Sequence, residues 1–245
     1  MFVKVLFLSS SPFFQAYIQS DFLGKLIFLS LIFCSIWCWS LLIYKIFITK
    51  KSRTHSIEFC YYVEKQKGNP LQIENDIVYR RRNPNPFFDL YLVLKKQTIG
   101  LLTKNQQFEV IEGGGSYLSS SDVDYIESHL MMTISLQKKR LEKNLFILST
   151  IVGLAPLLGL LGTVWGILIT FASLQGQSGT NQMVLGGISL ALTTTVMGLL
   201  SAIPAMIAYN YLKNSVREFE TEMESFANQL LSRVEMQYRK VDLNR

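Results

Sequence analysis

Between Lys143 and Lys213 lie 69 consecutive residues without one charged side chain. In water such a stretch would demand a very large core; in a bilayer, about 20 apolar residues make one spanning helix. The stretch is long enough for two spans, and its middle, the polar QGQSGTNQ of 175–182, supplies a turn of small and amide residues. A helical hairpin follows, with spans over 144–174 and 183–212.

A further 19 uncharged residues between Lys25 and Lys45, rich in Leu, Ile, Phe and Trp, predict a first span over 26–44. Charged residues make up 17% of the chain, against about 25% in soluble domains. The expected fold class is therefore all-α, an integral membrane protein with three transmembrane helices. The net charge of +6 is not the footprint of a nucleic-acid binder, because many basic residues flank apolar segments instead of forming one face with interleaved aromatics.

Those flanking charges give an orientation. Lys45, Lys50, Lys51 and Arg53 follow the first span, Lys138, Lys139, Arg140 and Lys143 precede the second, and Lys213 and Arg217 follow the third. The 175–182 turn carries none. By the positive-inside rule the N-terminal segment 1–25 and the turn lie outside, in the periplasm of an inner-membrane protein, and the loop 45–143 and tail 213–245 lie in the cytoplasm. The opening MFVKVLFLSSSPFF is too short and too broken by serines and Pro12 for a cleaved leader, and reads as an interfacial or extracytoplasmic helix.

The cytoplasmic loop has turn signals at KGNP and RRRNPNP and a flexible EGGGS at 112–116. Ser121 is the expected cap of a helix on which Ile126, Leu130, Ile134, Leu141 and Leu145 share a face, with no breaker before the second span. In the tail, Leu212, Val216, Phe219, Met223, Phe226, Leu230 and Val234 recur at helical spacing and continue the third span as a long amphipathic helix. That stripe suits either its own subunit or a neighbouring one. The acids Glu218, Glu220, Glu222 and Glu224 read as a solvated flank.

The hairpin spans are built from small and hydroxylated residues where leucine would anchor better. Lipid provides little hydrophobic force between helices, so close packing relies on small side chains. Gly159, Gly162 and Gly166 in the second span, and Gly187, Ala191, Gly198, Ala202 and Ala205 in the third, are of this kind. Thr163, Gly166 and Thr170 share one face, as do Ala191, Thr195, Gly198 and Ala202. Each stripe is narrow and mildly polar, and two readings stand: threonines bonded back to their own helix, or the lining of a pore. No Asp, Glu, Lys, Arg or His lies within the spans, so a proton path here would need a partner's carboxylate.

The runs APLLGLLGTVWGI (155–167) and GISLALTTTVMGLLSAIPAMIAYN (187–210) resemble the signature of the TolQ/ExbB proton-channel family, relatives of the flagellar stator protein MotA. The span order, long cytoplasmic loop and charged helical tail fit the same family, and the short N-terminal region looks more like the TolQ branch. The resemblance implies a homo-oligomeric, pentameric ring around the single-span helices of a TolR/ExbD-like partner whose membrane aspartate carries the proton. It implies a driven TolA- or TonB-like protein reaching the outer membrane. It also matches Thr163 and Thr195 to pore-facing threonines, and Pro156 and Pro204 to motif prolines. Where the family commonly has a glutamate near the start of the third span, this sequence has Leu190.

The expected lining is thus Thr163, Thr195, Gly166, Thr170, Ala191, Gly198 and Ala202, with Pro156, Gly159, Gly162 and Pro204 serving packing and motif. A non-conducting scaffold that assembles partner membrane proteins is the alternative. Three cysteines form no metal-ligand set with the isolated His55 and His129, and the glycine-rich runs lack the Lys-Ser/Thr ending of a phosphate loop. No catalytic residue, metal or cofactor is expected.

Overall fold

The structure is a computed structural model and describes residues 17–18, 20–65, 71, 85–109, 117–175 and 181–239. Among these residues there are five long helices and no strand: α1 (Phe22–Lys65), α2 (Pro86–Glu109), α3 (Ser120–Glu142), α4 (Leu145–Gln175) and α5 (Asn181–Tyr238). Three of them, α1, α4 and α5, are long and apolar enough to cross a membrane. The readings made for residues 1–16, KGNP, the three arginines at 80–82, EGGGS and the centre of the turn at 176–180 lie outside the described residues.

The chain divides into two compact units. One comprises residues 1–45 and 144–212, the other 46–143 and 213–245. Helices α1 and α5 each contribute to both. α1 does not stop where the first span was expected to end, because 45–65 offers no Gly or Pro to break it.

The tail stripe is buried within this chain, from Leu212 at the end of the first unit to Val216, Phe219, Met223, Phe226, Leu230 and Val234 in the second. Its partners are aromatic. Phe87 of α2 stacks on Phe226 at 4.5 Å and on Phe219 at 5.9 Å, and Phe59 of α1 meets Phe226 edge-on at 6.2 Å. The acid run differs from a solvated flank: Arg53 pairs with Glu222 and lies 3.8 Å from Glu218, and Lys138 Nζ lies 2.8 Å from Glu220. Glu218 and Glu222, one turn apart, share the side that faces Arg53, and Glu220 falls on the side that faces Lys138.

Helix starts follow capping chemistry. Asn85 caps α2 by accepting from the Phe88 amide at 3.2 Å, with Pro86 in the first turn where its missing N–H is no loss. The cap of α3 is Ser119, two residues before the expected Ser121. Its hydroxyl accepts from the Asp122 amide at 3.2 Å while Asp122 Oδ2 accepts from the Ser119 amide at 3.0 Å, a reciprocal capping box. Ser121 also has an acid three residues on, Asp124, so spacing alone did not separate the two serines. These bonds, with one from Asn105, hold the Asp122 carboxyl below its ordinary range although burial opposes them.

The second correction lies at the end of α3. The helix was expected to run unbroken into the second span, but it stops at Glu142 and α4 begins at Leu145. Asn144 sits between them with φ 70°, the left-handed conformation that asparagine tolerates better than most residues. The signal was present in the sequence as the one amide after a run of charged residues. The buried face still reads Ile126, Leu130, Ile134, Leu141 and, past the break, Leu145.

Candidate functional site

Helices α4 and α5 meet along their small residues, and the approach is close enough to exclude a methyl group at several points. A Cβ on Gly166 would lie 2.7 Å from the Gly187 carbonyl oxygen and 3.0 Å from Ala191 Cβ. One on Gly162 would collide with the Thr194 side chain, and one on Gly198 would lie 2.6 Å from the Ala155 carbonyl oxygen. Small side chains thus convert two helices into nearly touching backbones, which is where dispersion gains most in lipid.

The hydroxyls complete that contact. Thr195 Oγ1 donates across the interface to the Gly159 carbonyl at 3.2 Å. The N–H of Thr163 is the intrahelical donor to the same carbonyl, four residues on, so Gly159 is where the two candidate threonines converge. Thr163 Oγ1 donates to Leu160 O at 2.6 Å and Thr170 Oγ1 to Gly166 O at 2.8 Å. Thr194, which the sequence reading passed over, is fully buried and bonds Ala191 O at 2.9 Å and Leu190 O at 3.1 Å. The run of three threonines at 193–195 was its signal, since three adjacent positions sweep more than half of a helix's circumference.

The predicted residues therefore fall into two sets. Gly166, Thr170, Ala191, Gly198 and Ala202 are buried within the subunit. Thr163 and Thr195 remain half-buried. Gly159 and Gly162 are buried at the α4–α5 contact, while Pro156 and Pro204 lie inside α4 and α5 and are half-buried. Each proline removes one N–H from its helix, leaving the carbonyls of Val152 and Leu200 without their intrahelical donors. Leu190 is buried, with Cδ2 where a side chain on Gly24 would have to go, 2.8 Å from that position. An apolar residue suits a place pressed against the first turn of α1.

Chemically, a threonine hydroxyl has one proton to donate and two lone pairs to accept with. At Thr163 and Thr195 the proton is committed to a carbonyl. What each can offer outward is acceptor oxygen, suited to water, hydronium or a small cation and unsuited to an anion. Among the described residues no group of three or more His, Cys, Asp or Glu is placed to hold a metal ion.

Residues 102–225, which include the α4–α5 contact, match the MotA/TolQ/ExbB proton channel family. The chain belongs to this family. It is similar to the Tol-Pal system protein TolQ of Haemophilus influenzae, 42% identical over 90 residues covering 36% of this chain and 40% of that one. It is similar also to the biopolymer transport protein ExbB of Aquifex aeolicus, 46% identical over 83 residues covering 33% and 55% of the two chains. A third relative is the TolQ of Pseudomonas aeruginosa, 44% identical over 82 residues covering 33% and 36%. The matched region spans about half or less of each relative's length. The region matched to the family contains all of α3 and α4 and most of α5.

Proposed function

We propose that this chain is the proton-conducting subunit of an inner-membrane motor that energises an outer-membrane-reaching partner of the Tol-Pal or TonB type. In this reading five copies form a ring, with the N-terminus in the periplasm and the tail in the cytoplasm. Thr163 and Thr195 face a central path. Gly166, Thr170, Ala191, Gly198 and Ala202 stand behind them as the closely packed wall that keeps α4 and α5 together. A TolR/ExbD-like single-span protein contributes the aspartate that carries the proton, and a TolA- or TonB-like protein is driven.

The observation that carries this reading is the state of the two threonines. Their protons are bonded inward and their oxygens stay accessible, beside a stretch of 69 residues without charge. Such a surface lets a protonated or hydrated partner carboxyl move past it without trapping the proton, because it has no titratable group to hold it. The 38–46% identity to TolQ and ExbB proteins supports the same assignment.

The test is proton flux and coupled outer-membrane function in the assembled complex carrying Thr163→Val or Thr195→Val. Losing an acceptor is expected to cost on the order of 1 kcal/mol at the barrier, a fall of about fivefold to tenfold in flux. Unchanged flux in both variants would refute the path. The scaffold reading draws on the depth at which five of the seven stripe residues are packed. It predicts normal assembly with no flux at all in the unaltered complex.

A further inference from the structure

In the membrane unit the first turn of α1 meets the other two long helices at one place. Trp165 Nε1 of α4 donates to Asp21 Oδ2 at 3.0 Å. The other carboxylate oxygen, Asp21 Oδ1, accepts from the Gly24 amide at 3.0 Å and so caps α1. Gly24 in turn abuts Leu190 of α5. Among the described residues of this unit the charged ones are Asp21, the one acid, and Lys25 and Lys45. An aspartate is not needed merely to cap a helix, since serine or asparagine does so as well. Only a side chain that caps with one atom and reaches outward with another can also bond the indole.

The bond's position gives it a consequence. Trp165 lies two residues from Thr163, about 3 Å along the axis and on nearly the opposite side of α4. Gly159, Gly162 and Gly166 hold α4 to α5 on a third side. A glycine seam alone is smooth and permits a helix to roll about its axis. A second grip on another side fixes the rotation, and with it the direction in which Thr163 points.

We propose that Asp21 is a positioning residue of the conduction path, clamping α4 through Trp165 so that Thr163 is held toward the path. The clamp rests on the assignment of Thr163 as path-lining, while its geometry is independent of it. It acts through an acceptor oxygen and does not use the charge.

Three variants in the full assembled complex separate the possibilities. Asp21→Ser keeps the cap but is too short to reach the indole; Trp165→Phe removes the donor, keeps a ring and leaves the Asp21 charge in place; the third combines the two. Expected are flux reductions of about threefold to tenfold for Asp21→Ser and Trp165→Phe, the range an interhelical hydrogen bond in lipid sustains. The Asp21→Ser/Trp165→Phe double variant should be no worse than either single one. In a Trp37→Phe/Trp39→Phe background the Trp165 emission should shift to the blue in Asp21→Ser. Near-normal flux in Trp165→Phe beside reduced flux in Asp21→Ser would show that the charge matters and would overturn the clamp, as would an unmoved Trp165 emission in Asp21→Ser. If instead Thr163→Val leaves flux intact while the emission shift appears, the path assignment fails and the clamp stands.

Discussion

Gly198→Ala and Gly153→Ala are the same chemical change in the same kind of helix, and the structure gives them opposite signs. At Gly153 a Cβ meets nothing within 4 Å, so alanine only removes glycine's conformational cost, a gain of up to about 1 kcal/mol. At Gly198 a Cβ lies 2.6 Å from the Ala155 carbonyl oxygen and 3.2 Å from Gly159 Cα. Both are backbone atoms, which no side-chain rotation can remove. The helices must part by most of an ångström, and that gap forfeits about a quarter to a half of each dispersion contact along the seam. It also stretches the 3.2 Å Thr195–Gly159 hydrogen bond past its useful length, a loss of about 0.6 kcal/mol in lipid. Overpacking of this kind costs about 1–3 kcal/mol, so after the propensity gain the net loss is about 1–2 kcal/mol. Reversible unfolding in bicelles, comparing the two variants with the parent, measures the difference directly. If Gly198→Ala were as stable as Gly153→Ala, the close approach of α4 and α5 would be wrong, and the account of their small residues with it.

The break at Asn144 predicts that Asn144→Gly is nearly neutral while Asn144→Val costs about 1–2 kcal/mol, read by thermal unfolding, because a branched residue resists positive φ. The capping box predicts that Ser119→Ala and Asp122→Ala each cost about 1 kcal/mol and that the double variant costs less than their sum. Since the Asp122 carboxyl sits below its ordinary value of 3.8, its contribution is fully present above that pH and is lost as pH falls through the lower folded value. Helix content of α3 followed on acidification should show that loss in the parent and not in Asp122→Ala. Asp89 runs the other way: burial raises its carboxyl against the opposing Gln137 hydrogen bond, 2.7 Å long, and Arg140. Its ionisation therefore disfavours the fold as pH rises from 3.8 through the raised value, and Asp89→Asn, which retains an acceptor for Gln137, should flatten the pH–stability curve over that interval.

Much of this was legible because lipid and helices leave few choices. A charge-free run of 69 residues has to be two spans, and the seven-residue tail stripe at spacings of three and four has to be one buried face. What periodicity does not encode is which neighbour covers a face. The aromatic partners of Phe226 come from Phe59 and Phe87, far away in sequence, and no spacing rule names them. The α3–α4 break was missed because one asparagine in left-handed conformation is a weak signal beside twenty helical residues. The stripes of the hairpin were legible as stripes, but glycine, alanine and threonine serve tight packing and polar lining alike. In burial, Thr163 and Thr195 stand apart from the five buried residues.

The chemistry of those two residues constrains how the proposed motor can divide its labour. A hydroxyl whose proton is tied to a carbonyl can accept from a passing donor but cannot give a proton up without breaking its own bond first. The path proposed along α4 and α5 would therefore stabilise a proton carrier and could not itself be one. In a ring of such subunits each Gly159–Thr163–Thr195 site is equivalent, so a partner carboxyl would find the same acceptor geometry at every step of its circuit and no deep trap between steps. A titratable side chain facing the proposed path would be a second proton-binding station on the ring. In the proposed motor the charge-free hairpin leaves the proton to the partner's carboxyl alone. Introducing an acid by Thr195→Glu should slow flux more than Thr195→Val does, while leaving assembly of the ring with its partner intact; faster flux in Thr195→Glu would refute the division of roles.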